Sequence, residues 1–369
     1  MKIVQVSSYY PPHLGGLENV AKEISERLAK KSHQVEVFTS DIGCPKEEQL
    51  KSTKNLKIHY LKSKEFAHTP IIPSLYKELM KISQDSIIHV HTAQAYVPEK
   101  VDKMCKKRKM TYIAQVHGDA EPSSWIGKII LGPYKAIFLK KFLKNAKKVL
   151  VLTEGYKELI HKKYSIDKNK IIVIPNGVGE EFFIKNKSKN KISHLLFVGR
   201  ISIEKNLPRL IESVNLCKSK FILDIVGDGE LLNLAKKLVK QKNLKNIIFH
   251  RRKTGKDLIN FYKNSDAFIS TSNGEAFPLT ILEAMASKLP IIASDVKGNH
   301  EVVKNVGILV NPPTPENFAK QIDNLFLDKL LCTKLSKQSL QFAKNHNWNK
   351  IIEQTEQVYK EVLDENNKK

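Results

Sequence analysis

The spacing of apolar residues alternates between two periods along the chain. Short β-branched runs, such as 2–6 (KIVQV) and 34–40 (QVEVFTS), alternate with segments whose apolar residues recur every three to four positions, such as 17–31 (LENVAKEISERLAKK). The first pattern predicts strands and the second amphipathic helices. Strands that alternate with helices in this way predict βαβ units, and therefore a parallel sheet.

The same rhythm occupies two halves of the chain. Further strands of the first half are predicted at 87–92, 111–118, 148–153 and 171–177. A polar stretch at 185–191 (KNKSKNK) is typical of a linker. Beyond it, strands are predicted at 194–200, 221–229, 246–250, 266–272, 290–295 and 307–310. Two doubly wound halves predict a cleft, with ligands at the carboxyl ends of the strands.

Length and cysteine content narrow the class of protein. A chain of 369 residues predicts two domains, each large enough for its own core. The four cysteines lie far apart, without zinc-ligand spacing, which predicts reduced thiols and a cytoplasmic location. The apolar run that follows Met1 is too short for a signal peptide, and no apolar stretch reaches the length of a membrane span.

The charge is strongly basic and unevenly distributed. The formal net charge is +24, and residues 101–150 alone contribute +9. Within that stretch, lysines alternate with apolar residues, namely Trp125, Ile129, Ile130, Leu131, Phe138 and Phe142. Such a segment can bind an anionic membrane surface, or it can be a buried helix with a lysine rim. No interleaved aromatic and basic motif supports nucleic acid as the partner.

Two carboxylates flank an apolar helical run in the stretch 272–286 (SNGEAFPLTILEAMA). Pro278 suits the first turn of a helix, so Glu275 is predicted in the loop before the helix and Glu283 one to two turns inside it. Free N–H groups at such a helix start attract anions. Taken alone, the pair is weak evidence for a site, because a helix cap and a solvated surface glutamate are the ordinary interpretation of such a pair.

Two cations follow a predicted strand in the stretch FVGRISIEKN. Arg200 offers a planar fork for phosphate oxygens and Lys205 a mobile charge. Together at the mouth of a cleft they suit a diphosphate leaving group without a metal. The chain has neither a DxD metal motif nor a phosphate-binding P-loop.

Two further motifs follow predicted strands in the first half. Gly15 and Gly16 directly precede a helix, which lets a ligand approach backbone amides. His117 ends an apolar strand, where a side chain that faces a cleft can contact a ligand. No GxGxxG motif is present, and this disfavours a nicotinamide-dependent Rossmann enzyme.

In this order, the motifs resemble those of the retaining GT-B glycosyltransferases of glycosyltransferase family 4. The most specific are G-R-x4-K-N at 199–206 and E-x7-E at 275–283, supported by "PNGV" at 175–178 and "VGDG" at 226–229. The resemblance implies two Rossmann-like doubly wound α/β domains that face each other across a cleft. It places the acceptor-side domain at 1–175 and the donor-side domain at 176–345. The C-terminal helix, 346–369, would pack back on the first domain.

The resemblance also implies a role for each candidate residue. Glu275 would face the transferred sugar, and Glu283 would take the ribose hydroxyls. The backbone at the helix start would assist, at Phe277, Pro278 and Leu279. The remaining donor-site residues would contact the diphosphate (Arg200, Lys205 and Gly16, with Gly15 in the same loop), the sugar (His117) and the base (the backbone near Lys253). Of all these, Glu275, His117, Arg200 and Lys205 are expected to be catalytic.

The implied activity is transfer of a sugar from a UDP- or GDP-linked donor, with retention and with neither metal nor cofactor. The expected acceptor is a lipid-linked saccharide or a surface glycan, at the cytoplasmic face of the membrane. A GT-B sugar-nucleotide 2-epimerase and a basic nucleic-acid-binding protein are the alternatives. Three residues depart from the family pattern by replacing glycine, namely Ser32, Ala276 and Lys288. None of the three removes a functional group.

Overall fold

The computed structural model describes residues 1–13, 15–66, 69–92, 95–118, 133–184 and 193–367. The chain divides into two compact units. Unit 1 comprises Met1–Pro175 and Ile351–Lys369, and unit 2 comprises Asn176–Lys350.

Unit 1 is built on a parallel sheet. Its strands are β1 (Lys2–Ser7), β2 (Gln34–Ser40), β3 (Leu56–Leu61), β6 (Ile87–Thr92), β7 (Tyr112–Val116), β8 (Lys148–Val151) and β9 (Ile171–Val173), with a separate antiparallel pair, β4 (Lys64–Phe66) and β5 (Thr69–Ile71). The spatial order is β3-β2-β1-β6-β7-β8-β9. The order therefore reverses between β1 and β6, which makes their carboxyl ends the expected ligand edge.

In the described part of unit 1, five helices connect these strands. They are α1 (Gly16–Lys30), α2 (Leu75–Leu79), α3 (Val97–Arg108), α4 (Lys140–Asn145) and α5 (Glu154–Tyr164), and a π-helical stretch at Lys135–Leu139 precedes α4. The helix α1 buries one face, including Val20, Ile24 and Leu28, as its apolar spacing predicts.

Unit 2 repeats the architecture. Its strands are β10 (His194–Val198), β11 (Ile222–Val226), β12 (Ile247–His250), β13 (Ala267–Ser270), β14 (Ile291–Ser294) and β15 (Ile308–Val310), in the parallel order β12-β11-β10-β13-β14-β15. Its helices are α6 (Leu207–Leu216), α7 (Leu232–Gln241), α8 (Gly255–Asn264), α9 (Leu279–Ala286), α10 (Lys297–Val303), α11 (Pro315–Leu327) and α12 (Lys329–Asn345). Here the strand order reverses between β10 and β13.

The last helix, α13 (Trp348–Asn367), belongs to unit 1 from Ile351 onward. Tyr359 is fully buried there and accepts a hydrogen bond from Gln5 of β1 at 3.0 Å. Glu356 forms an ion pair with Lys31 and a hydrogen bond with His33 of the same unit. The α13 helix is thus attached to unit 1 by both a buried and a surface polar contact.

The prediction of two parallel α/β sheets is confirmed, and each predicted strand matches the observed bounds to within four residues at either end. The sequence analysis missed β3, β4 and β5. The reason for β3 is its position at the sheet edge, where only Leu56 is fully buried, so its apolar pattern is weak. The predicted linker at 185–191 lies outside the described residues.

All four cysteines are free thiols, as predicted. None of the helices in the described ranges combines the length and the apolar composition that a membrane span requires.

Candidate functional site

The loops that follow β10 and β13 meet at the point where the strand order of unit 2 reverses. The first loop carries Lys205 at the end of a 3₁₀ turn, and the second carries Glu275. Lys205 Nζ donates to Glu275 Oε1 in an ion pair, and Ser272 Oγ donates to the same oxygen at 2.8 Å. The structure thus brings together the predicted diphosphate cation and the predicted sugar carboxylate.

The loop that carries Glu275 is held by backbone contacts. Gly298 N–H donates to the Glu275 carbonyl at 3.1 Å, and Asn273 N–H donates to the Glu204 carbonyl at 2.7 Å. A Cβ on Gly298 would lie only 2.4 Å from the Glu275 carbonyl oxygen. Gly298 therefore has a positioning role in this loop.

A second glycine shapes the loop that carries Arg200. A Cβ on Gly227 would lie 1.9 Å from the Gly199 carbonyl oxygen, so only glycine permits the approach of the two loops. This contact explains why the motifs at 199–206 and 226–229 occur together. Arg200 itself is exposed on the loop after β10.

The α9 helix begins differently from the prediction. Pro278 is its N-cap with extended backbone, and the first helical residue is Leu279. The prediction that Pro278 lies in the first turn is therefore wrong by one position. Proline also has no N–H, so of the three predicted backbone contacts only the amides of Phe277 and Leu279 can donate to a ligand.

Glu283 lies inside α9 and shares a hydrogen bond with Tyr262 of α8. Tyr262 Oη donates to Glu283 Oε2 at 2.6 Å. Burial raises the pKa of Glu283 to about 7, with Glu181 adding to the rise and the Tyr262 hydrogen bond opposing it. Sequence reasoning missed Tyr262, because no local motif links a residue of α8 to α9. The Glu283 carboxyl therefore has a pKa near neutral pH.

Lys253, the predicted neighbour of the base, is half-buried in the loop between β12 and α8. The preceding His250 is anchored, since its Nε2 lies 2.8 Å from Asp224 Oδ1. The loop therefore starts from a fixed position at the carboxyl end of β12.

In unit 1, the glycine pair Gly15 and Gly16 lies after β1, at the start of α1. Gly15 is the N-cap of α1 and Gly16 its first residue. The oxygen Glu18 Oε2 lies 2.1 Å from where a Cβ of Gly15 would be, and Glu18 Oε1 bonds with His13 Nδ1 at 2.9 Å. Glu18, which sequence reasoning missed, thus occupies the space that glycine leaves open at the helix start.

His117 directly follows β7, as predicted, and its Nε2 lies 2.9 Å from His91 Nδ1 on the neighbouring strand. Burial lowers the pKa of His117 to about 3, so the imidazole is neutral at physiological pH. His117, Gly15 and Gly16 belong to unit 1, whereas every other predicted site residue belongs to unit 2.

Part of the basic segment presents apolar residues to solvent. Ile137 and Phe138 are 60% and 53% exposed, next to the exposed lysines Lys141 and Lys144. Phe142 is buried, and its ring stacks on Tyr112. The predicted apolar residues Trp125, Ile129, Ile130 and Leu131 lie outside the described residues.

Two family profiles together match most of the chain. The profile of the Glycosyltransferase Family 4 matches residues 14–182, and the profile of the Glycosyl transferases group 1 matches residues 178–342. The boundary between them lies close to the boundary between the two units.

Curated relatives agree with these profiles. The chain is 32% identical to a UDP-Gal:alpha-D-GlcNAc-diphosphoundecaprenol alpha-1,3-galactosyltransferase of Escherichia coli, over 70% of each chain. It is 25% identical to an uncharacterized glycosyltransferase of Methanocaldococcus jannaschii, over 99% of each chain. Among solved structures, the Anabaena protein HepE in complex with UDP is similar with a TM-score of 0.79. It is 14% identical, and the likeness covers 98% of this chain and all of that one.

Proposed function

The chain belongs to the group 1 glycosyl transferases of glycosyltransferase family 4, and from this membership we propose that it transfers a sugar from a nucleoside diphosphate to a lipid-linked saccharide or glycan. It is a transferase with the GT-B fold, as the sequence predicted. Neither the 2-epimerase nor the nucleic-acid-binding alternative is needed to explain the chain.

The observation that carries this proposal is the arrangement of charges in unit 2. One cation, Lys205, and two carboxyls, Glu275 and Glu283, lie on loops and a helix at the switch point of a parallel sheet. A cation neutralises a leaving diphosphate, while carboxylates accept hydrogen bonds from the hydroxyls of sugar and ribose. The free amides at the start of α9 add partial positive charge beside the phosphates.

The reaction we propose proceeds with retention and without a metal. The bond between the anomeric carbon and the diphosphate breaks as the acceptor oxygen bonds to that carbon, and the leaving phosphate oxygen takes the proton of the acceptor hydroxyl. The chain then supplies orientation and charge stabilisation rather than a general base. Arg200 and Lys205 would carry the charge of the diphosphate, and His117 would contact the sugar.

Two comparisons favour a uridine nucleotide and a lipid-linked acceptor. The Escherichia coli relative is named for UDP-Gal and a diphosphoundecaprenol acceptor, and the structure of HepE contains UDP. We propose a cytoplasmic enzyme that meets its acceptor at the membrane surface. The exposed Ile137 and Phe138, with the lysines beside them, provide an apolar and basic contact for anionic lipid.

Transfer assays with UDP- and GDP-linked sugars test the proposal. The acceptor is an undecaprenyl diphosphate that carries a single sugar, and the configuration of the product's anomeric carbon is read by NMR. We expect an α-linked product from an α-linked UDP-sugar, at the same rate with and without excess EDTA. A β-linked product would contradict retention, and a rate that needs added Mg²⁺ or Mn²⁺ would contradict metal independence. If calorimetry detects no binding of any of these nucleotides, the function itself is contradicted.

A further inference from the structure

A continuous chain of hydrogen bonds crosses the sheet of unit 1 from His117 to α13. His117 Nε2 lies 2.9 Å from His91 Nδ1, and His91 Nε2 lies 2.6 Å from Gln5 Oε1. Gln5 Nε2 lies 3.0 Å from Tyr359 Oη, which in turn lies 2.6 Å from His89 Nδ1. These hydrogen bonds therefore link three adjacent strands, β7, β6 and β1, to the C-terminal helix.

The inner members of this chain are closed to solvent. Gln5, His89 and Tyr359 are 0% exposed, and His91 is 1% exposed. Water therefore cannot replace a missing partner of Gln5, His91 or Tyr359. Burial also lowers the pKa of His91 well below its ordinary value, so that its ring is neutral. A neutral imidazole has one donor and one acceptor nitrogen.

The amide of Gln5 gives the chain a direction. Its Oε1 can only accept, so His91 Nε2 must carry the proton of that ring. His91 Nδ1 is then an acceptor, and His117 Nε2 must donate to it. At the other side, Gln5 Nε2 donates to Tyr359 Oη, whose O–H is left to donate to His89 Nδ1.

We propose that Tyr359, Gln5 and His91 are positioning residues that hold His117 as its Nε2–H tautomer, so that Nδ1 accepts a hydrogen bond from a donor-sugar hydroxyl. This inference rests on the proposed function, because it takes His117 as the sugar contact of unit 1. In a neutral histidine, the hydrogen bond that one ring nitrogen forms decides which of the two nitrogens carries the proton. The C-terminal helix thereby acts on the site through Tyr359 in addition to packing.

The tautomer can be observed directly by NMR. Long-range ¹H–¹⁵N spectra of protein labelled at histidine distinguish Nε2–H from Nδ1–H rings, and the His117 signal is assigned by its loss in His117→Gln. We expect a pure Nε2–H ring in the wild type. In Tyr359→Phe, which removes a single oxygen, the Gln5 amide loses its acceptor and can turn over, so we expect a mixture of both tautomers.

The matched control is Glu356→Gln, one turn before Tyr359 on the same helix. It weakens the ion pair with Lys31 and the hydrogen bond with His33, and it leaves the side chains of Tyr359, Gln5 and His91 in place. If His117 responded merely to looser packing of α13, this variant would change its tautomer as well, and the inference would be overturned. We expect the wild-type spectrum.

Kinetics provide the second measurement. We expect Tyr359→Phe to lower kcat about 10-fold, as is usual when an outer partner of a site residue is lost. The Kd of the free nucleoside diphosphate should not change, because its proposed side-chain contacts lie in unit 2. Gln5→Met, which removes both amide atoms, should give the same loss, and the double variant no more than either single one, since the residues act in series.

Three results would overturn the inference. The first is an Nδ1–H ring in the wild type, and the second is an unchanged His117 spectrum in both Tyr359→Phe and Gln5→Met. The third is a changed His117 tautomer in Tyr359→Phe or Gln5→Met without any loss of kcat, while His117→Gln itself reduces transfer. Failure of the proposed function would be a different result, because the wild type would then bind no nucleotide. The NMR spectra would still report on the hydrogen bonds from His117 to Tyr359.

Discussion

Lys205 and Glu275 form an ion pair across the switch point of unit 2, although 70 positions separate them in the chain. Both side chains are partly buried, at 24% and 14% exposure, so solvent screens their attraction only in part. In the proposed complex, Lys205 would contact both the diphosphate and Glu275. Glu275 would contact both the sugar hydroxyls and Lys205. Each residue therefore balances the charge of the other.

Lys205→Ala should lower the rate of transfer roughly 10²-fold or more, or about 3 kcal/mol, because one stabiliser of the leaving diphosphate is lost. The measurement is kcat with the preferred nucleotide sugar. Lys242→Ala is the control, since Lys242 also forms an ion pair in unit 2, with Glu212 at 2.5 Å. Equal rates for Lys205→Ala and the wild type would place the essential cation elsewhere.

Glu275→Gln should lower kcat strongly while the Kd of the free nucleoside diphosphate stays within a few-fold of the wild type. The variant keeps the size of the side chain but loses the charged acceptor near the sugar, where the transition state gathers positive charge. Its loss also leaves Lys205 free for the phosphates. Initial rates and calorimetry separate the two effects. A large loss of nucleotide affinity would show that Glu275 binds the nucleotide instead.

Nucleotide affinity should rise between pH 6 and pH 8 through Glu283. Its pKa in the folded chain is about 7, above the ordinary value, because burial disfavours the charged form. The carboxyl is therefore mostly protonated at pH 6 and ionised at pH 8, and only the ionised form accepts ribose hydroxyls with both oxygens. Calorimetry across this range should show a steeper rise in the wild type than in Glu283→Gln. The titration of the phosphates contributes equally to both proteins, so parallel profiles would contradict the ribose assignment.

Replacing Lys140, Lys141 and Lys144 by Glu should abolish binding to vesicles that contain anionic lipid at moderate salt. Each basic residue near such a surface contributes about 1 kcal/mol to binding. The neighbouring Lys147 and Lys148 are not part of the change, because both are paired with Glu365.

Co-sedimentation with vesicles measures this binding. The control replaces three exposed lysines of the same unit, Lys51, Lys54 and Lys57, by Glu, which alters the net charge equally. Loss of binding in both triple variants would indicate a response to total charge rather than a specific membrane face.

Ser32→Gly should raise the free energy of unfolding by about 0.5–1 kcal/mol. Ser32 has φ 66°, in the left-handed region where a Cβ is strained by about 1–2 kcal/mol. The greater freedom of glycine in the unfolded chain offsets part of that gain. Chemical denaturation measures the change. Ser74→Gly is the control, because its φ of −78° carries no such strain and glycine should destabilise there.

Much of this architecture could be predicted locally. Strand and helix positions follow from short-range apolar spacing, and the parallel sheets follow from their alternation. Position after a predicted strand singled out Arg200, Lys205 and His117, and position before a predicted helix singled out Glu275. The glycine positions of the family pattern were also readable, and two of the three departures, Ser32 and Lys288, adopt the left-handed conformation that glycine favours.

Contacts between these side chains depend on the tertiary fold. The partners of Glu283, Glu275 and His117, namely Tyr262, Lys205 and His91, lie 21, 70 and 26 positions away. Tyr359 reaches Gln5 across 354 positions. A sequence pattern records which face a residue presents, because helix and strand periods are local. Pairings across a sheet depend on strand order and register, and these follow from the packing of the whole unit, which no local period encodes.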